Sequence, residues 1–388
     1  MFGNHQDVMD SIKLNTIEEA IEAVRAGKVV IVVDDEDREN EGDFVCAAEC
    51  VTPEIINFMA TYGRGLICTP IEEKRADELD LQMMVSDNTA LHETAFTVSI
   101  DLIGQGCTTG ISAHDRSKGI KALVRSDTKS SDFARPGHIF PLRAKSGGVL
   151  RRTGHTEATI DLARLAGYYP AGVLVEILNE DGSMARLPQL VKIAEKHDLK
   201  IISIKDLVAY RMRTERIIKR ETSVNLQTAH GEFEVIAYRQ VTTGDTHLAI
   251  KKGTWEPDEP VLVRVHSSTE VDDILGTLFD RFGSVVNGAM EKIAEEGKGL
   301  FLFMRHSEKG TSIVAKLKEL QDRQLGVEKE PETLTDGRQS AEQRDYGVGA
   351  QILRDLGISK LRLLSNTSRR RVGLIGYGLE IVENVDLD

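Results

Sequence analysis

Cysteine is scarce and confined. The 388-residue chain has four, Cys46, Cys50, Cys68 and Cys107, all in its first third and none in a C-x-x-C pair. That argues against a disulfide-stapled secreted framework and against the usual zinc knuckles, and it fits small buried thiols in a reducing cytoplasm. Long apolar runs are also missing; none approaches the roughly 20 residues that a membrane-spanning helix needs. The first ten residues carry acids and a His but no basic stretch leading into an apolar one, so no signal or transit peptide is expected. Positive charge is in deficit: 49 Lys and Arg against 62 Asp and Glu give a net charge of −13. A nucleic-acid partner held by bulk attraction is therefore not expected, although a locally basic pocket for one phosphate remains open.

What is present is an ordinary globular balance, 40% apolar and 29% charged, in a chain long enough for two domains. Its most informative segment runs from Asp34 to Asp43, where seven of ten residues are carboxylates. It follows directly on Val29-Val30-Ile31-Val32-Val33, a β-branched run with the signature of a buried strand. Carboxylates delivered by a core strand repel one another, and a hard divalent cation with oxygen ligands relieves that repulsion. The competing reading, a solvated charge run, is weakened by the position after a strand. Arg38 can pair with its neighbours or reach an anion. Gly42 is expected to supply a turn that lets Asp43 face a pocket.

Helices and strands alternate through the first half, which predicts a mixed α/β domain. The pattern places helices over 16–26, from Thr52-Pro53, over 156–166 and over 187–197, and strands over 96–100, 171–177 and 200–204. Residues 210–220 are rich in Arg and read as an exposed connecting helix. Beyond them, 233–239, 247–251 and 261–265 read as three strands of an antiparallel sheet. A long amphipathic helix over 274–294, a strand over 299–304, a helix over 347–356 and a strand over 361–364 follow, with 327–340 a polar, mobile loop. The expected division is a first domain over 1–208, a linker over 209–222 and a second domain over 223–388.

Three further features of the first half carry chemistry. Arg152-Thr153-Gly154-His155-Thr156 opens a predicted helix, and free N–H groups at such an end suit a phosphate, with Arg152 adding charge and Thr156 expected as the cap. Arg135-Pro136-Gly137-His138 reads as a rigid turn bearing a His. Glu176 ends the apolar stretch Val173-Leu174-Val175, a setting that suits a general acid or base.

The acidic segment resembles, nearly letter for letter, the DDEDRENEGD signature of the 3,4-dihydroxy-2-butanone 4-phosphate synthases. Met83 to Thr89, Phe96-Thr97-Val98, Thr108-Thr109-Gly110, Arg135-Pro136-Gly137-His138 and Arg152 to Ala158 extend the resemblance over about residues 14–210. It implies Mg²⁺- or Mn²⁺-dependent conversion of ribulose 5-phosphate to a four-carbon ketose phosphate and formate. It implies Glu39 and His155 as metal ligands, and substrate contacts from Arg38, Glu39, Asp43, Thr108, Arg152, Thr153, Gly154, His155, Thr156 and Glu176. His138 and Glu176 become essential catalytic residues, with Glu41 a further candidate acid or base. It also implies a cytoplasmic homodimer with the site near the subunit interface, acting on a small phosphosugar, with no nucleic acid or membrane partner.

Residues from about 222 onward resemble GTP cyclohydrolase II, through Gly231 to Gly253, Arg264 to Ser267, Arg344 to Gly347 and Gly376 to Glu380. That family binds zinc through C-x₁₀-C-x-C. The matching positions here are Thr269, Asp280 and Phe282, and no cysteine follows Cys107. The nucleotide loop reads Arg305-His306-Ser307-Glu308-Lys309-Gly310, the catalytic aspartate position reads Glu342, and the phosphate segment reads Ser365-Asn366-Thr367-Ser368-Arg369. The expectation is a synthase fused to a degenerate second domain without zinc. The alternatives are a bifunctional enzyme that also opens GTP and a non-catalytic regulatory or scaffold protein of flavin synthesis.

Overall fold

Val30–Val33 forms strand β1, and all four residues are buried. A strand without polar alternation needs cover on both faces, and the surrounding elements supply it. The computed structural model describes residues 14–34, 38–89, 94–269, 281–306, 347–365 and 378–386. The chain divides into two compact units, Met1–Arg211 and Met212–Asp388.

The first unit contains, in order, α1 (Ile17–Arg25), β1, β2 (Gly42–Ala47), α2 (Pro53–Phe58), β3 (Cys68–Glu72), α3 (Glu73–Glu78), β4 (Ile100–Leu102), α4 (Ala113–Val124), β5 (Phe133–Ala144), α5 (His155–Leu165), β6 (Gly172–Glu176), α6 (Leu187–His197), β7 (Lys200–Ser203) and α7 (Ile204–Thr214). Its strands form one mixed sheet in the order β4-β5-β3-β6-β2-β1-β7. Ile31, Val33, Phe44 and Cys46 face a core shared with Ile56 of α2, Ile120 of α4 and Leu190 of α6. Helices α1 and α5 pack against each other and on strands of the sheet, and the alternate residues Val30, Val32 and Val45 are equally buried. Thr16 caps α1 through a reciprocal pair with Glu19, as its Ser/Thr-x-x-Glu spacing dictates.

Two segments differ from expectation. Arg135 to His138 is not a turn but part of β5, with a cis Arg135–Pro136 peptide. A Cβ on Gly137 would lie 2.1 Å from the Ile100 backbone, so the close approach of β4 requires glycine there. Residues 210–220 are an exposed connecting helix only in part: α7 runs to Thr214 with Arg213 and Thr214 exposed and Arg211 and Met212 buried, and the next strand already starts at Ile218.

The second unit has β8 (Ile218–Thr228), β9 (Gly231–Gln240), β10 (Thr246–Lys252), β11 (Pro260–Thr269), α8 (Arg281–Glu296), β12 (Gly299–His306), a helix α9 over 347–355, β13 (Lys360–Leu364) and β14 (Glu380–Val385). The sheet order is β14-β13-β11-β12-β10-β9-β8. It is mixed rather than antiparallel: β8, β9 and β10 form a meander, but β11 pairs in parallel with both β12 and β13. The third of the three expected antiparallel strands, β11, does not pair with β10, because β12 inserts between them. Phe233, Leu262, Met290, Ile293 and Phe301 build this unit's core. The expected loop over 327–340, together with Asp280, Glu308, Glu342 and Arg369, lies outside the described residues, and Thr269 and Phe282 fall at the end of β11 and the start of α8. Among the described residues no helix is long and apolar enough to cross a membrane.

Candidate functional site

The acidic segment wraps around its first carboxylate. Asp34 follows β1; its Oδ1 accepts the Glu41 N–H at 2.8 Å, and its Oδ2 accepts the Glu39 N–H at 3.2 Å and Arg38 Nη1 at 2.8 Å. Asn40, at φ 53°, turns the chain. Gly42 does not: it starts β2, and a Cβ there would lie 2.5 Å from Leu190. Arg186 donates to the carbonyl of Glu39 at 2.8 Å and to that of Asn40. Asp34 and Arg186 thus set the loop's shape through its backbone, and Arg38 Nη1 donates to Glu39 Oε2 as well, at 2.8 Å. Asp35 to Asp37 lie outside the described residues.

That loop meets the start of α5. Asp34, Glu39 and His155 each place one potential ligand atom within 4.8 Å of the others. His155 Nε2 sits 3.2 Å from the Val32 carbonyl, which can only accept, so Nδ1, 3.8 Å from Glu39 Oε2, is the nitrogen turned to the carboxylates. Burial opposes charge on His155, but Asp43, Glu39 and Asp34 outweigh it and push its pKa up to about 9. Burial likewise opposes charge on Glu39, yet His155 and Arg38 bring it down to about 2. Arg38 and His155 are the cations that balance the cluster's negative charge. This electrostatic demand, with oxygen donors from two residues and a preset imidazole, fits a divalent cation such as Mg²⁺ or Mn²⁺.

Two more carboxyls lie beside the cluster. Asp43 on β2 lies opposite Glu176 on β6. Asp43 is fully buried, and burial, with Glu176, Glu39 and Glu41 adding to it and His155 opposing, pushes its pKa up to about 7. A carboxyl poised there can hold or release a proton near neutrality. Burial and the Glu39 charge also raise Glu41. Glu176 accepts the Leu66 N–H at 2.9 Å, and a Cβ on Gly65 would lie 2.5 Å from its carboxylate, so the 63–66 turn closes directly over it. Cys68 adjoins this pair; burial, Glu176 and Asp43 all push its thiol up.

Helix α5 starts without a side-chain cap. Its N-cap is Gly154, not Thr156, which lies inside the first turn and is buried. Arg152 folds back to Glu157 at 2.8 Å, passing where a Gly154 Cβ would sit 2.4 Å away. The amides after Gly154, beside a fixed guanidinium, form a ready anion site next to His155. Thr153 sits in the same turn.

The remaining two predicted residues belong to a separate cluster. His138 Nδ1 lies 2.7 Å from Asp101 Oδ2, and its backbone N–H donates to Asp101 Oδ1 at 2.9 Å. Thr108 donates to Asp115 through both N–H (3.2 Å) and Oγ1 (2.8 Å), and the Gly110 N–H joins them at 3.2 Å. In the sheet, β5 is separated from β2 by β3 and β6, so three strand spacings, about 14 Å, divide the strand bearing His138 from that bearing Asp43. Sequence reasoning missed Asp101, Asp115 and Arg186, and included Asp34 only as one carboxylate of the run, not as the residue that shapes the loop. Each acts through a backbone or long-range partner, which no local spacing reveals.

The model of the 3,4-dihydroxy-2-butanone 4-phosphate synthase family matches residues 18–210, and that of GTP cyclohydrolase II matches residues 219–386. The chain is 60% identical over 380 residues to the riboflavin biosynthesis protein RibBA of Cytophaga hutchinsonii, covering 98% of this chain and 94% of that one, and 55% identical with the same coverage to RibBA of Parabacteroides distasonis. The crystal structure of RibBX, a two domain 3,4-dihydroxy-2-butanone 4-phosphate synthase from A. baumannii, aligns with TM-score 0.76 at 40% identity, covering 96% of this chain and all of that one. A 3,4-dihydroxy-2-butanone 4-phosphate synthase in complex with two magnesium ions aligns over 52% of this chain and 98% of that one, at 42% identity and TM-score 0.50. Two enzyme-family domains are thus fused in one chain, a synthase followed by a cyclohydrolase-type module. The chain belongs to the RibBA family of riboflavin biosynthesis proteins.

Proposed function

We propose that the first unit converts D-ribulose 5-phosphate to L-3,4-dihydroxy-2-butanone 4-phosphate and formate, and that the second unit no longer opens GTP. The observation that carries the first half is the Asp34–Glu39–His155 cluster set against the uncapped start of α5. Glu39 and His155 would hold Mg²⁺ or Mn²⁺, with Asp34 shaping the loop. When bound, the ion supplies Lewis acidity to the sugar's carbonyl and adjacent hydroxyl. Arg152 and the amides after Gly154 bind the phosphate, with Thr153 and Thr156 beside it, and Arg38 neutralises the carboxylates until substrate arrives. Asp43, Glu41 and Glu176 hold and pass protons beside the metal cluster, where the Leu66 amide fixes Glu176. Asp101 accepts from His138 Nδ1, orienting the ring and leaving Nε2 for proton transfer, and Thr108 contacts the sugar hydroxyls.

The enzyme would work as a cytoplasmic homodimer with all four cysteines free, as they are here. Because His138 and Thr108 stand apart from the metal cluster in one chain, we place them in the site of the opposite subunit. Stripping the protein with EDTA is expected to abolish formate release and readdition of Mg²⁺ or Mn²⁺ to restore it. Full turnover by protein freed of divalent metal, checked by elemental analysis, would sink the metal assignment.

The bifunctional reading has the RibBA relatives and the second family model on its side. Thr269, Asp280 and Phe282 stand against it, since Phe has no donor atom and Thr is a poor zinc ligand. The expected results are no formate from GTP and no stoichiometric zinc in purified protein; zinc together with GTP-dependent formate would restore the second activity. Formate from neither substrate would favour a regulatory protein.

A further inference from the structure

We propose that Arg211 is a positioning residue for the synthase site, a buried brace that holds the turn ahead of Arg152 in register with α5. The proposal rests on the reading of that site given above. Arg211 ends the first unit and lies one residue beyond the segment that the synthase family model matches. Its side chain is only 5% exposed, and its Nη1 donates to Asp161 Oδ2 at 2.7 Å and to the Gly147 carbonyl at 2.8 Å.

Both acceptors bear on the phosphate turn. Asp161 lies on α5, six residues after His155, and the same Oδ2 accepts the Val149 N–H at 2.8 Å. Gly147 and Gly148 both have positive φ, 99° and 62°, and a Cβ on Gly148 would lie 2.1 Å from Asp161 Oδ1. The turn is therefore seated on the Asp161 carboxylate with no room for a side chain between. It continues through Arg151 and Arg152, whose N–H groups donate to the Gly148 carbonyl at 2.8 and 3.1 Å. Arg152 then reaches Glu157 on the same helix. Two other elements reach the turn: Glu73 of α3 accepts from the exposed Ser146 at its start, whereas Arg211 of α7 joins the Gly147 carbonyl to Asp161. Without Arg211 the Gly147 carbonyl loses its donor and the buried Asp161 loses its nearest cation, keeping only the Val149 N–H and the more distant Arg164 at 3.8 Å. The turn then loosens at the residue that leads into Arg152-Thr153-Gly154, where a misplacement of about 1 Å can cost up to about 100-fold in rate.

The test compares three full-length variants, Arg211→Met, Arg211→Lys and the double variant Arg211→Met with Asp161→Asn. Steady-state formate release gives kcat and KM for ribulose 5-phosphate, and amide hydrogen exchange is followed in peptides spanning 145–153. Arg211→Met should raise KM about tenfold, because the phosphate turn is loosened, and should speed exchange in 147–152 but not in β1 or β2. Arg211→Lys should recover most of both, since one ammonium can donate to both acceptors. The double variant should regain the melting temperature by removing the buried charge, yet keep the raised KM because Gly147 stays untethered. A folded double variant with wild-type KM overturns the positioning role whatever the exchange shows. If the wild type releases no formate, the functional reading falls by itself; unchanged exchange in Arg211→Met then overturns the brace, and faster exchange upholds it.

Discussion

Exchanging Glu39 for Gln is expected to stop formate release, lowering kcat by at least about 10³-fold, or about 4 kcal/mol of transition-state stabilisation. The amide keeps the size and one oxygen of the side chain but removes the negative charge that both His155 and Arg38 now stabilise. A hard divalent cation loses its anionic ligand, and His155 loses the partner nearest its Nδ1. The fold should survive. The loop is held by backbone contacts that the substitution leaves untouched: Asp34 on the amides of Glu39 and Glu41, and Arg186 on the carbonyls of Glu39 and Asn40. Asp34→Asn provides the contrast. It weakens the loop itself, so melting temperature and metal affinity should fall together, whereas Glu39→Gln should change metal affinity and turnover alone. Turnover by Glu39→Gln near the wild-type rate, with Mg²⁺ present, would refute the assignment. Misfolding of that variant, seen as a lost cooperative melt, would refute the claim that Asp34 and Arg186 carry the loop.

The parts of this site that were legible from sequence share one property: each announces itself within a few residues. The β-branched run before Asp34 predicted a fully buried strand, and both faces of β1 are covered. The helix opening at His155 and the apolar stretch ending at Glu176 were equally local, and each lies within a residue or two of its expected place. The failures have the opposite character. Glycine often supplies a turn, but at Gly42 the missing side chain instead makes room for Leu190, about 150 residues away. Thr156 is a good cap by type, but the N-cap lies two residues earlier, at a glycine that Arg152 must cross. Arg211 looked solvent-exposed in a basic stretch, and its partner Asp161 lies on a different helix. The second sheet's parallel pairings were invisible for the same reason: strand spacing reports order along the chain, not order across the sheet.

Mixing two inactive variants should restore activity. Glu39→Gln removes the metal ligand, and His138→Gln removes the proposed proton carrier while keeping a polar side chain that Asp101 can still hold. If each site takes its metal cluster from one subunit and its His138 from the other, a mixed dimer contains one doubly damaged site and one intact site. Half of the dimers in an equal, exchanged mixture are mixed, so the mixture should recover about a quarter of wild-type turnover from parents that have almost none, as follows from a two-fold symmetric pair. The strand order motivates the expectation, because three strand spacings, about 14 Å, separate the strand of His138 from that of Asp43 within one chain. A proton carrier must come within hydrogen-bond reach of the atom it serves, about 3 Å. Close in the chain to residues of the His138 cluster, Ile103 and Ile111 are exposed, apolar side chains that a second copy could cover. Subunit exchange is verified with differently tagged chains. Mixed dimers that form and stay inactive would place His138 in the site of its own chain, and a monomer by light scattering would remove the composite site altogether.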